Sequence, residues 1–340
     1  MPIEKSAGAS DYPKGTKQMT KARVAVVIPC YKVKRHILSV ISSIGPECEA
    51  IYVVDDCCPE ASGDWVKQEC RDARVVVLMH EANQGVGGAV ITGYMRAAQD
   101  DMDVVVKVDG DGQMDPSLIW DFVDPIITGE ADYTKGNRFY DLRNIARMPK
   151  IRIFGNAMLS LMAKISSGYW DIFDPTNGYT AIHCDVLNRL DTGSISRRYF
   201  FETDMLFRLN IIGAKVVDVP MDAKYEDEES NLHIKKILFE FLWKHARNFC
   251  KRIFYNYFLR DMSAASIELL AGSAIFFFGV VFSAYHWVRS AHLGVSTPLG
   301  TIIIGVICLL SGLQLLLAFL AYDVEKVPKR AIHRKHKQKR

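Results

Sequence analysis

The sequence predicts an α/β domain with a mostly parallel sheet, followed by a two-helix membrane hairpin. Three observations point there. Short apolar runs of strand length recur along the N-terminal two thirds with helical stretches between them. Two longer runs, Leu269–Val288 and Leu299–Tyr322, carry no formal charge over 20 and 24 residues. Basic charge brackets those two runs: Leu232–Arg260 holds seven Lys/Arg against one acid, and Asp323–Arg340 holds eight against two.

The elements follow in order. Val24–Ile28 is an apolar run ending at Pro29, hence a buried strand. Ile51–Val54 is a second, stopped by Asp55-Asp56 and a Cys-Cys-Pro turn. Val75–Leu78 and Val104–Val108 have the same form, and His36–Ile44, Gly63–Arg71 and Gly87–Ala98 read as helices between them. Strands joined by helical crossovers make a parallel, doubly wound sheet. Ligands of such sheets bind beyond the carboxyl ends of the strands. The polar residues gather there: Pro29-Cys30-Tyr31, Asp55-Asp56, Asn83-Gln84-Gly85 and Asp109-Gly110-Asp111.

Each charge-free run can cross a hydrocarbon core of about 30 Å as a helix. Ten residues, Arg289–Pro298, join them, so both ends of the hairpin lie on one side. That link holds one Arg against fifteen Lys/Arg in the flanks, which places the large N-terminal region and the tail in the cytoplasm. Between Leu232 and Arg260, Ile234, Ile237, Leu238, Phe241, Leu242, Phe249 and Ile253 recur at helical spacing among lysines and arginines. This reads as an amphipathic helix on an anionic leaflet, with a surface helix packed on the protein as the alternative. The expected organisation is an arm at 1–22, an α/β domain at 23–230, a juxtamembrane region at 231–262, two spans at 263–322 and a basic tail at 323–340.

Composition removes other classes. With 340 residues, 49% hydrophobic and 24% charged, the chain holds one large or two ordinary domains, and is neither disordered, collagenous nor disulfide-stapled. Charge focused on an apolar hairpin argues for a membrane and against nucleic acid as partner. Eight cysteines without a CxxC pair read as reduced thiols. Met1–Lys21 has no apolar core and reads as a loose arm rather than a signal peptide. No GxxxxGK is present, Val90 spoils a dinucleotide fingerprint, and Met114 stands where an EF-hand loop needs Gly. What remains is Asp109 and Asp111 after an apolar strand. Two carboxylates one residue apart can share a divalent ion, although turns favour Asp and Gly in any case.

Six segments in series carry a resemblance: Val24–Lys32 (VAVVIPCYK), Val53-Val54-Asp55-Asp56, Asn83–Ala89 (NQGVGGA), Asp109–Gln113 (DGDGQ), Gly136-Asn137-Arg138 and Asp174–Tyr179 (DPTNGY). Together with the hairpin they resemble family 2 glycosyltransferases, specifically the polyprenyl-phosphate sugar transferases related to dolichol-phosphate mannose synthase. The resemblance covers about Arg23–Asp222. It implies a Rossmann-like nucleotide-sugar-binding domain with Mg²⁺ or Mn²⁺, a UDP- or GDP-hexose donor (UDP favoured) and a polyprenyl phosphate acceptor such as undecaprenyl phosphate. The reaction would be inverting, at the cytoplasmic face of the inner membrane. It also allows a dimer or tetramer packed through the hairpin.

The resemblance assigns roles as well. Pro29, Tyr31, Asp55 and Asp56 fall at the nucleobase and ribose, Asp55 reading equally as a turn or helix cap. Asn83 and Gly85 bring backbone near the nucleotide, or simply start a helix. Asp109 falls on the nucleotide side, with Asp111 the metal ligand beside it and Gln113 near the sugar or pyrophosphate. Arg138 and Arg152, with Arg143 and Arg147, are expected at the acceptor phosphate, because the guanidinium fork grips phosphate with two donors. Asp174 and Asn177 shape the sugar pocket, or form a plain turn. Glu202 and Asp204 orient sugar hydroxyls or arginines, or start a helix. In the alternative reading, transfer goes to a hydroxyl and one of these two acids is the base. A non-catalytic adaptor keeping the fold is the third. Cys30, Cys57 and Cys58 replace the smaller or different residues usual at their positions.

Overall fold

The computed structural model describes residues 22–140, 150–222 and 234–334. The expected arm up to Lys21 lies outside them. Seven strands form one sheet: β1 (Val24–Cys30), β2 (Ala50–Asp55), β3 (Val75–Met79), β4 (Val104–Lys107), β5 (Tyr133–Asn137), β6 (Thr180–His183) and β7 (Val216–Pro220). Their order is β3-β2-β1-β4-β6-β5-β7. β6 runs antiparallel to both its neighbours, and every other pairing is parallel. All four expected strands and all three expected helices form, with ends shifted by no more than two residues. The helices are α1 (Ile37–Ser43), α2 (Ser62–Glu69), α3 (Val86–Gln99), α4 (Ile119–Ile127), α5 (Lys150–Ser167), α6 (Cys184–Leu187), α7 (Phe201–Ile212), α8 (Ile234–Phe254), α9 (Ala264–Leu293) and α10 (Leu299–Glu325).

The alternation of side chains along a strand builds the two cores. On β1, Ala25 and Val27 pack with Ala89, Tyr94 and Ala97 of α3 and Met205 and Leu209 of α7. Val24, Val26 and Ile28 face the other way, onto Ile37 and Ile41 of α1 and Phe122 and Ile126 of α4. The sheet is therefore covered on both faces, and its strand ends are the place left open for a ligand.

α9 and α10 are long and apolar enough to cross a membrane, and only 22% and 17% of their most apolar stretches are buried, unlike the core helices of a soluble domain. They pack so closely that a Cβ on Gly312 would fall 2.5 Å from the backbone nitrogen of Phe276. The hairpin is fastened to the α/β domain at two points. Arg252 of α8 meets Asp323 of α10 at 2.5 and 3.0 Å, and that carboxylate also accepts from Tyr257 (2.7 Å) and Trp170 (2.9 Å). Further on, Asp132 accepts from the backbone of Ile332 (2.8 Å) and His333 (3.1 Å), while the His333 ring stacks on His183 at 4.3 Å. The described part of the basic tail expected at 323–340 runs to Arg334 and meets the α/β domain where Asp132 collects the backbone amides of Ile332 and His333.

Asp323→Ala should lower stability by about 3–5 kcal/mol, since it leaves the Arg252 guanidinium, 2% exposed, without its counter-charge. Asp261→Ala removes the exposed partner of Lys326 and should cost less than about 1 kcal/mol. Thermal unfolding of the detergent-solubilised variants checks both; equal shifts would refute the distinction.

α8 is amphipathic in an unusual sense. Its inward face carries the buried polar residues His245, Asn248 and Arg252, while Phe239, Trp243 and Phe254 are 76%, 65% and 58% exposed. Asn248 donates to Asp204 (2.9 Å), and the His245 ring meets Ser166 (2.7 Å). One face of this helix packs on the protein and the other presents apolar side chains outward.

Candidate active site

A cleft of about 890 Å³ opens at the carboxyl ends of β1, β2 and β4. β1 contributes Pro29, Cys30 and Tyr31, and the β2 end contributes Asp56. Asn83 and Gly85 enter from the start of α3, and Lys107, Asp109 and Asp111 from the end of β4. Thr176, Gly178, Arg198 and Glu202 line it too, as do Leu159 of α5 and Phe241 of α8.

The acids are held differently from one another. Asp109 Oδ1 lies 2.9 Å from the Nζ of Lys107, whose ammonium also reaches Glu202 Oε1 at 3.3 Å. Lys107 is 1% exposed. Burial works to lower its pKa, but the two carboxylates outweigh burial and the net shift is upward. Asp111 Oδ1 accepts from the backbone of Gln113 (3.0 Å), so the loop orients this carboxylate, which lines the same cleft as Asp109.

Asp56 is a hub. Its carboxylate accepts from the backbone of Gln84 (2.8 Å) and Gly85 (2.7 Å) and meets His80 Nδ1 at 2.7 Å, while its carbonyl accepts from Asn83 (3.1 Å). Gly85 has φ of +85°, and a Cβ there would fall 2.6 Å from the carbonyl oxygen of Arg197. The close neighbour that demands glycine is therefore the 196–198 segment of the protein itself.

Several expected site residues belong to the scaffold. Asp55 accepts from the backbone of Cys58 (2.7 Å) and Gly63 (2.6 Å), closing the turn into α2; it does not line the cleft. Asp204 accepts from Ser196 (2.9 Å), Arg208 (3.2 Å) and Asn248 (2.9 Å), tying α7 to α8 and leaving Glu202 as the acid of this pair that faces the cleft. Arg138 grips Asp174 through Nε (2.7 Å) and Nη2 (3.0 Å). Asn177 caps its own turn by accepting from Tyr179 (3.0 Å), and Lys135 donates to its carbonyl. The sugar-pocket pair Asp174 and Asn177 thus lies behind the wall, and Thr176 and Gly178 of the same turn form its surface. Gln113 lends its backbone amide to Asp111 and does not line the cleft. Arg143 and Arg147 lie outside the described residues, as does the side chain of Arg152.

Two buried lysines went unread in the sequence, Lys107 and Lys135. Burial pushes the Lys135 ammonium down to about 8 against the pull of Asp174, Glu202 and Asp218, and burial pushes Asp218 up to about 6. The signal was present: a lysine inside the apolar run Val104–Val108 is costly unless carboxylates meet it. Two of the three unusual cysteines are accounted for too, Cys30 and Cys58. Burial pushes the Cys30 thiol up to about 12, which leaves it protonated, and Cys58 Sγ receives the backbone N–H of Lys32 at 3.1 Å.

Residues 25–191 match the family described as Glycosyl transferase family 2. An undecaprenyl-phosphate mannosyltransferase of Micrococcus luteus is 32% identical over 207 residues, 58% of this chain and 82% of that protein. A UDP-N-acetylglucosamine–dolichyl-phosphate N-acetylglucosaminyltransferase of Methanococcus voltae is 26% identical, covering 62% of this chain and 88% of the relative. Glucosyl-3-phosphoglycerate synthase of Mycobacterium tuberculosis, solved with Mg²⁺ and uridine diphosphate, superposes with a TM-score of 0.50 at 18% identity, covering 71% of this chain and 81% of that one. The fold is that of the GT-A-like α/β glycosyltransferases. The chain belongs to glycosyl transferase family 2 and is a glycosyltransferase.

Proposed function

We propose that this enzyme transfers a hexose, with inversion, from a nucleotide sugar to polyprenyl phosphate at the cytoplasmic face of a membrane spanned by α9 and α10. One observation carries the reading. The cleft that holds the acids is also lined by Leu159 and Phe241, on the two helices that expose Phe154, Met158, Leu161, Phe239 and Trp243. A charged reaction site that opens onto an apolar surface suits a substrate with an ionic head and a hydrocarbon tail. The exposed Arg247 and Lys251 of α8 suit an anionic leaflet. The named activities of the Micrococcus and Methanococcus relatives agree with this acceptor, and the Methanococcus donor puts UDP-sugars first.

The chemistry asks little of a base. A phosphate monoester, with a second pKa near 6, is already an anion at neutral pH. Its oxygen forms the bond to the anomeric carbon as the bond from that carbon to the nucleoside diphosphate breaks, and no proton has to be removed. Glu202 is positioned toward the sugar, held there by Lys107. Arg138 keeps the 174–178 turn in place through Asp174. Among the described residues no three His, Cys, Asp or Glu side chains converge to hold a metal alone. Asp109 and Asp111 instead offer the two-carboxylate donor set of a hard ion that takes the rest of its shell from substrate oxygens, so Mg²⁺ or Mn²⁺ fits here. When bound, such an ion would take up charge developing on the leaving diphosphate.

The test is transfer from radiolabelled UDP- and GDP-sugars to undecaprenyl phosphate by the purified full-length protein, with and without Mn²⁺. One donor should yield a metal-dependent lipid-linked sugar. No product from any donor, while UDP or GDP still binds, would refute the phosphate acceptor in favour of a hydroxyl one.

A further inference from the structure

Two cationic side chains among the described residues line the cleft, and they are in opposite situations. Lys107 is neutralised by Asp109 and Glu202. Arg198 meets no carboxylate among the described residues, although the backbone that carries it is firmly placed. Ser196 donates to Asp204 (2.9 Å), the carbonyl of Arg197 accepts from Gly88 (3.2 Å), and Phe200, 2% exposed, stacks edge-on against Phe241. The Arg198 stem passes over Gly85, where a Cβ would fall 2.9 Å from its Cγ. A guanidinium is thus anchored at its root, unspent at its head, and set in a cleft that also holds Asp109 and Asp111.

We infer that Arg198 binds a phosphate oxyanion in this cleft. The inference rests on the phosphate-transfer reading above and adds to it a residue that the motifs did not indicate. The charge balance calls for it. Asp109, Asp111 and Glu202 bring three negative charges and Lys107 returns one, so an anionic substrate entering this wall needs further positive charge besides a divalent ion. Arginine supplies that charge with two parallel donors, the arrangement that phosphate accepts best. The oxyanion comes from one of two sources, the donor's diphosphate or the acceptor's lipid phosphate.

Arg198→Ala and Arg198→Lys in the full-length, detergent-solubilised protein separate them. Calorimetry with Mn²⁺ would measure UDP and GDP, with uridine and guanosine as phosphate-free competitors, and transfer assays would give KM for undecaprenyl phosphate. If Arg198 holds the diphosphate, the alanine variant binds the nucleoside diphosphate about tenfold or more weakly while the nucleoside competes as in wild type. If it holds the lipid phosphate, diphosphate affinity stays and the KM for undecaprenyl phosphate rises by a similar factor. In either case the lysine variant should recover part of the loss. Diphosphate affinity and acceptor KM both within twofold of wild type would overturn the inference. So would equal losses for nucleoside and diphosphate, which mean a disturbed loop. If wild type makes no lipid-linked sugar, the transfer reading falls and the lipid-phosphate source with it; a diphosphate-to-nucleoside ratio within twofold of wild type then overturns the inference, and a tenfold loss upholds it.

Discussion

Asp111→Ala should reduce transfer by about a thousandfold, the upper end of what removing one charge-stabilising group costs an enzyme. Asp111 and its neighbour Asp109 are held differently. Asp109 Oδ1 already serves the Lys107 ammonium at 2.9 Å, so part of that carboxylate's charge is spent inside the protein. Asp111 is oriented by the amide of Gln113 and reaches into the same cleft, which makes it the better partner for a divalent ion riding on a diphosphate. Its loss should abolish the part of UDP affinity that Mn²⁺ confers and leave the metal-free part nearly intact. Calorimetry with Mn²⁺ and with EDTA, alongside turnover, measures this. Turnover within tenfold of wild type, or a metal increment that persists, would remove Asp111 from the role. Asp204→Ala is the contrast: it should lower the melting temperature, because Asp204 ties the 196 segment and α8 to α7, before it changes any metal increment.

The first four strands and the helices between them were legible because each is a clean apolar run or a helical period with turn residues at its ends. β5 and β6 were not. Tyr133–Asn137 reads Tyr-Thr-Lys-Gly-Asn, and its strand character comes from pairing with β6 and β7 and from the burial of Lys135 among acids, which are tertiary facts. The site was legible as a set of motifs, and its division of labour was not. Asp55 and Asp56 look alike in sequence, yet one closes a turn while the other faces the cleft and holds the Asn83–Gly85 loop. Glu202 and Asp204, two residues apart on α7, point to different neighbours because a helix turns about 200° between them. The Gly-Asn-Arg motif says nothing of Asp174, which only the fold brings against the Arg138 guanidinium.

Lys107→Met should be nearly as damaging to transfer as the loss of Asp111, and the sign of its effects on binding identifies why. Its ammonium sits between Asp109 and Glu202 with 1% of its surface exposed. Methionine fills much the same volume without the charge. Asp109 and Glu202 then lose the buried cation that lies between them, so the cleft should bind free Mn²⁺ more tightly and metal-free UDP more weakly, each by about tenfold at the dielectric of a partly buried site. Catalysis falls because Glu202 loses the donor that orients it. A purely structural lysine behaves otherwise: its removal lowers the melting temperature and leaves the two affinities moving together or not at all. Electron paramagnetic resonance of Mn²⁺ and calorimetry of UDP in EDTA distinguish the cases. Adding Glu202→Gln to Lys107→Met restores the charge balance, so Mn²⁺ affinity should return toward wild type while transfer stays low. Opposite movement of cation and anion affinities, reversed by that second substitution, is an outcome that packing alone cannot produce.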